Sequence, residues 1–185
     1  MPSGPLRPHG GYRDLKAYQM AEIIYDATVA FCNRFIDPRS RTHDQMVQAA
    51  RSGKQNQAEG SQFAATSKKT EMKLVNVARS SLEELKQDYE DFLRQRNLPL
   101  WDKDHPTALE VRALAYVPGR SYATYQSYVE QGTPEVAANT ILCVIHQANR
   151  LLDGQLTRLE RDFLEHGGFT EALYHARQER RAEQR

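Results

Sequence analysis

Val75-Asn76-Val77-Ala78-Arg79-Ser80-Ser81-Leu82-Glu83-Glu84-Leu85-Lys86-Gln87-Asp88-Tyr89-Glu90-Asp91-Phe92 carries the clearest periodicity in the chain. Val75, Ala78, Leu82, Leu85, Tyr89 and Phe92 recur at alternating steps of three and four, which puts them on one face of a helix and gives the seam of a helical bundle. Apart from Val77, polar and charged residues fill the remaining positions. Ser67 is placed to cap this helix and Asn97-Leu98-Pro99 to close it, so the spacing predicts a helix to about residue 96.

Working outward, Leu15 to Ile36 shows two adjoining apolar stripes, Ala17/Ala21/Ile24/Phe31/Phe35 and Tyr18/Tyr25/Val29/Cys32/Ile36. That face is wide enough for more than one neighbour, and Asp37-Pro38 ends it. Thr42-His43-Asp44-Gln45 fits a capping box and predicts a second helix over about 43–59 with Gly60 as its stop. Met46, Ala49, Ala50, Gly53 and Ala58 make its apolar side small, suited to close helix approach. Thr133-Pro134-Glu135 opens a long helix with Ile141, Ile145, Ala148, Leu152, Leu159 and Phe163 on one side, and Gly167-Gly168 ends it. A short amphipathic helix follows from Thr170. Residues 99–132 hold Pro99, Pro106, Pro118, Gly119 and Gly132 around two helix-sized pieces, near 107–116 and 120–130, and read as a helical insertion rich in tyrosine. Packing over the bundle is the expected use of those tyrosines.

The expectation is therefore an all-α protein: an antiparallel up-down four-helix bundle, with the insertion between its third and fourth long helices and a short C-terminal suffix helix. In domain terms, residues 1–12 form a flexible arm dense in Pro and Gly, 13–166 the bundle and 167–185 the suffix. The 185 residues are 39% hydrophobic and 26% charged, which excludes a disordered polyelectrolyte. A mean hydropathy of −0.73 keeps much of each helix wet and leaves room for a shared interface. No apolar run approaches the roughly 18 residues of a membrane span and no leader pattern opens the chain, so a cytoplasmic protein without membrane attachment is expected. Cys32 and Cys143 lie far apart in apolar stretches and read as reduced thiols.

Charge sums to +1 but is unevenly placed. Residues 33–79 carry nine Lys/Arg against four Asp/Glu, and residues 80–110 carry four against eight. Arg51, Lys54, Lys68, Lys69 and Lys73 flank one hairpin turn, with Arg79 beyond, alongside Gln48, Gln55, Asn56, Gln57 and Gln62. Lysine and arginine beside amide side chains suit phosphate and ribose contacts, so these six cations are the candidate nucleic-acid site, for RNA or DNA. The competing use is pairing with acidic residues of another subunit.

Catalytic patterns are absent. The six histidines show no metal spacing, no phosphate-cradling glycine loop appears, and Glu84, Asp88 and Asp91 share a helix face without the Glu-x-x-His step of a di-metal site. Cys143 and His146 stand three apart on one helix, the only arrangement resembling a thiol–imidazole pair. No enzyme activity, metal or cofactor is expected.

Tyr12-Arg13-Asp14-Leu15-Lys16-Ala17-Tyr18, Gln45-Met46-Val47-Gln48-Ala49-Ala50-Arg51-Ser52 through Asn56-Gln57-Ala58-Glu59-Gly60, and Ala78-Arg79-Ser80-Ser81-Leu82-Glu83-Glu84-Leu85 together resemble a bacterial family. It is the family of four-helix-bundle proteins encoded by intervening sequences of large-subunit ribosomal RNA, which includes the accessory variability determinants of diversity-generating retroelements. The likeness covers about 12–97 and resumes over 133–165; Phe163 to Arg181 is similar to a suffix carried by one branch. The resemblance implies a ring-like homopentamer without enzymatic activity, binding nucleic acid and a reverse transcriptase, with that role falling on Arg51, Lys54, Lys69 and Arg79. The 99–132 insertion departs from the family pattern. Two functions follow: a nucleic-acid-associated accessory protein using multiple copies of the basic patch, or an oligomeric scaffold that binds another protein through the tyrosine-rich insertion and C-terminal helix.

Overall fold

The computed structural model describes residues 11–183, and among them every regular element is helical. Seven α-helices follow a short 3-10 turn at Tyr12–Asp14: α1 (Lys16–Phe35), α2 (Arg41–Phe63), α3 (Lys68–Gln95), α4 (Pro106–Ala113), α5 (Tyr122–Glu130), α6 (Pro134–His166) and α7 (Phe169–Glu183). The expected N-terminal arm lies, but for Gly11 and Tyr12, outside the described residues. The main helix pairings are α1 with α2, α2 with α3, α3 with α6, and α6 with α1, while α5 covers α1 and α6 and α4 rests on α6.

The seam read from the sequence is buried throughout: Val75, Ala78, Leu82, Leu85, Tyr89 and Phe92 all lie in the core. Phe31 packs edge-on against Tyr89 and Phe92, with ring centroids 4.9 and 4.8 Å apart, and the Tyr89 hydroxyl donates to Thr28 Oγ1 at 3.1 Å. That last bond lets a polar hydroxyl sit fully buried. Ile141, Ile145, Ala148, Leu152 and Leu159 of α6 face the same core, whereas Phe163 is half-buried near the helix end. The caps of α3 and α6 are those expected, with Ser67 Oγ accepting from Thr70 N and Thr133 Oγ1 from Val136 N, each at 3.2 Å.

Helix α2 differs from its sequence reading at both ends. Ser40, not Thr42, is the cap, its Oγ accepting from the Thr42 N–H at 3.2 Å, and the helix starts at Arg41. Gly60 does not stop it. The glycine is buried inside the helix facing α3, where an added Cβ would stand 3.5 Å from the Glu71 carbonyl oxygen and 3.5 Å from Leu74 Cβ, ordinary van der Waals contact. Gly53 is tighter still: a Cβ there would fall 2.6 Å from Leu82 Cδ2.

The insertion is tied down by polar clips. Trp101 Nε1 donates to the Glu135 carboxylate at 2.8 Å and its backbone N–H to Asn139 Oδ1 at 2.9 Å, while Asn139 Nδ2 donates to Pro99 O at 2.9 Å. His105 stacks on the Trp101 ring with centroids 4.5 Å apart. From α1, the Arg34 guanidinium donates to the carbonyls of Val129 and Gly132, satisfying acceptors at the end of α5. Tyr125 is fully buried and Tyr122 and Tyr128 partly so, the packing expected of the tyrosine-rich segment; Tyr116 stays exposed.

Leu82→Ala should destabilise the protein by about 2–5 kcal/mol. Gly53→Ala should cost about 1–3 kcal/mol by overpacking, enough to outweigh the ~1 kcal/mol that alanine contributes to helix propensity. The double variant should lose less than the sum, because the new methyl enters space that Leu82 vacates. Urea unfolding of the four proteins measures this, and strictly additive losses would show that the two side chains do not meet.

Candidate nucleic-acid interface

The six candidate cations occupy three different settings. Lys69 and Lys73 are exposed on the first two turns of α3. Arg51 is exposed on α2, and one turn later the Lys54 ammonium lies over the Tyr25 ring of α1, 4.4 Å from its centroid. Lys68 and Arg79 turn toward α6: Lys68 pairs with Asp162, and Arg79 Nε donates to the Asp153 carboxylate. The Lys68 side chain is only 10% exposed, so that ion pair is largely withdrawn from water.

Helix periodicity explains the division. The side of α2 bearing Ser52 and Asn56 meets α3, with Ser52 Oγ and Ser81 Oγ 2.9 Å apart, whereas Lys54 leans toward α1 and Arg51 is exposed. On α3, Lys68 and Arg79 share the α6 side, and Lys69 and Lys73 point outward. Of the amides expected beside the cations, Gln48, Gln55 and Gln62 are exposed. Asn56 Nδ2 is spent on the Ser52 carbonyl at 2.9 Å. Gln57 is a correction: it shares the core face of α2 with Met46, Ala50, Gly53 and Gly60, is 1% exposed, and contributes nothing to the surface. Neither amide atom of Gln57 has a hydrogen-bond partner among the described residues.

A second charged feature lies toward the other end of the α2/α3 pair. An open groove of about 710 Å³ has Ala49, Ser52 and Ser81 as small lining residues and carries Asp44, Glu84 and Asp88 with Arg41. Partial burial raises the Asp88 carboxyl above the ordinary aspartate value, and the adjacent Asp91 and Glu84 charges push it further in the same direction. The sequence places these acids on one helical face, but only the fold shows that small residues hollow a groove beside them.

The Cys143–His146 pair lacks the electrostatics of a nucleophile. Burial pushes the Cys143 thiol up, with Arg112 opposing, and burial followed by Lys86 pulls the His146 imidazole down. An activated pair requires the thiol to move the other way, toward a thiolate stabilised by imidazolium. No hydrogen bond joins the two side chains. Among the described residues, no three His, Cys, Asp or Glu side chains converge as a metal site needs, and no helix is long and apolar enough to cross a membrane.

No family model, curated protein or solved structure matches this chain.

At pH 7, Cys143 should react with iodoacetamide more slowly than a free cysteine, because burial disfavours its thiolate, with the rate rising as pH is raised. Cys32, pushed up to about 12 chiefly by burial, should react more slowly still. Mass spectrometry of the alkylated chain reads both sites, and fast labelling of Cys143 at neutral pH would restore the nucleophile reading.

Proposed function

We propose that this protein is a non-catalytic, homo-oligomeric accessory protein that holds nucleic acid by its phosphate backbone. The observation that carries the reading is the pair Lys69 and Lys73: exposed, one helical turn apart, and joined to no acidic side chain among the described residues. Like charges at this spacing repel by a few tenths of a kcal/mol, which a bound phosphate relieves. Arg51 extends the exposed cationic set, and Lys54, Lys68 and Arg79 flank it from the seams, where Lys68 and Arg79 must exchange a carboxylate for a phosphate before contributing.

The architecture proposed for this role is an antiparallel up-down four-helix bundle of α1, α2, α3 and α6. Its support is the running of paired positions in opposite directions: Gly53 against Leu82 and Gly60 against Glu71 on α2/α3, Asn149 against Glu83 and Asp153 against Arg79 on α3/α6. Assembly as a homopentamer, and service to a reverse transcriptase or a ribosomal RNA process in the cytoplasm, rest on the family resemblance. Repeating a weak patch around an oligomer gives avidity without strong individual sites. One observation favours the scaffold alternative: Tyr116 is 86% exposed on the insertion, near in sequence to the exposed Leu109 and Val117.

The test is fluorescence anisotropy with single-stranded RNA and DNA at about 0.1 M salt, where exposed charges act over roughly 10 Å. Arg51→Glu/Lys69→Glu/Lys73→Glu should weaken binding by more than about tenfold with the oligomer mass unchanged, and parent affinity should fall steeply with salt. Affinity retained in the triple variant would favour the protein-scaffold reading.

A further inference from the structure

Among the described residues helix α7 forms none of the main helix pairings, and it leaves α6 through Gly167, whose φ of +67° favours glycine. At 100° per residue, Leu173, Tyr174, Arg177, Arg180 and Arg181 fall on one face about 120° wide, while Glu171 and Glu179 fall on the other. Tyr174 is 60% exposed and the three arginines are exposed. Arg177, Arg180 and Arg181 thus present a cationic helix face that enters no ion pair among the described residues.

The groove between α2 and α3 has the opposite character. Asp44, Glu84 and Asp88 stand over small residues, and partial burial, followed by repulsion of the ionised carboxylate by Asp91 and Glu84, makes Asp88 hold its proton more tightly. Neither Glu84 nor Asp88 enters an ion pair within the chain's described residues.

We propose that the cationic face of α7 from one copy docks in the acidic α2/α3 groove of a second copy. The chain's own α7 does not line the groove. The groove lies level with Glu83, which Asn149 of α6 meets, and Gly167 is 18 residues further along α6, about 27 Å away. Helix α7 itself spans only about 22 Å, and it departs from α6, whereas the groove opens between α2 and α3. A contact joining two different surfaces is heterologous, and repetition closes a ring when its rotation permits. The proposal rests on the homo-oligomer reading above and names the surfaces that build it; Lys69 and Lys73 remain outside the groove, free for phosphate.

Sedimentation equilibrium of the full chain without nucleic acid tests it. The parent should be oligomeric at micromolar concentration. Arg177→Glu/Arg180→Glu/Arg181→Glu, and separately Asp44→Arg/Glu84→Arg, should each raise the dissociation constant by more than about tenfold, since each set juxtaposes like charges. The chain carrying both sets should reassemble to within about threefold of the parent, because the complementarity is reversed and not lost. As a check independent of charge reversal, Tyr174→Cys with Gln48→Cys should give disulfide-linked multimers on oxidation. A monomeric parent, unchanged mass in either reversed set with helical circular dichroism intact, failure of the combined chain to reassemble, or absence of crosslinked multimers overturns the proposal. Unchanged mass in the α7 variant together with RNA binding abolished by Lys69→Glu/Lys73→Glu would overturn this contact alone and leave the nucleic-acid reading standing.

Discussion

The contact on which the rest of the molecule depends is Leu82 against the bare backbone of Gly53. With no side chain at 53, α2 comes close enough to α3 for Ser52 and Ser81 to share a hydrogen bond at 2.9 Å. Leu82 is then fully enclosed, and the same seam continues through Leu85 to Tyr89, whose hydroxyl reaches Thr28 on α1. Small residues on α2 thus cost bulk in the core but let α3 pack closely, and the aromatic cluster of Phe31, Tyr89 and Phe92 supplies volume between α1 and α3. The groove follows from the same choice, because Ala49, Ser52 and Ser81 leave a hollow that larger side chains would fill.

What was legible in the sequence is what local chemistry determines. The three-four spacing of α3, the Ser67 cap and the Thr133-Pro134 start of α6 depend on residues within a turn or two of each other, and the structure has each where the pattern puts it. Gly60 misleads for a physical reason. A glycine after a helical run fits a stop and a buried position within the helix equally well, and which applies depends on contacts with α3 that lie outside the local pattern. Gln57 fails similarly: an amide in a polar run reads as surface until the pitch of α2 assigns it to the core side. The Trp101–Asn139–Pro99 clip joins residues 38 and 40 positions apart, so no local pattern announces it.

The candidate site shows the same boundary. Local charge counts gave the sign of each region, but they carry no information about the acids of α6, which lie more than seventy positions from the cations they meet. Once Asp162 and Asp153 take Lys68 and Arg79, the cluster divides into paired residues in a helix seam and unpaired ones facing water. The two groups have different energetics. A largely buried pair such as Lys68–Asp162 has already lost its hydration and resists exchange, whereas an exposed lysine carries its full hydration and counterion atmosphere and exchanges them readily for phosphate.

That difference makes copy number the controlling variable for any nucleic-acid role. Three exposed cations on a nearly neutral chain give weak, salt-sensitive attraction, since each surface charge contributes little through a high dielectric. Strength must come from presenting several such patches to one polymer, where the second contact forms at the high effective concentration set by the first. Assembly and binding are then linked by mass action: a polymer that spans neighbouring copies stabilises the oligomer, and the oligomer in turn tightens the polymer's hold. In the assembly proposed above, acidic groove and cationic helix would meet between copies while Lys69 and Lys73 stay outward, so that the opposite charges of a near-neutral chain serve separate contacts without competing for the same surface.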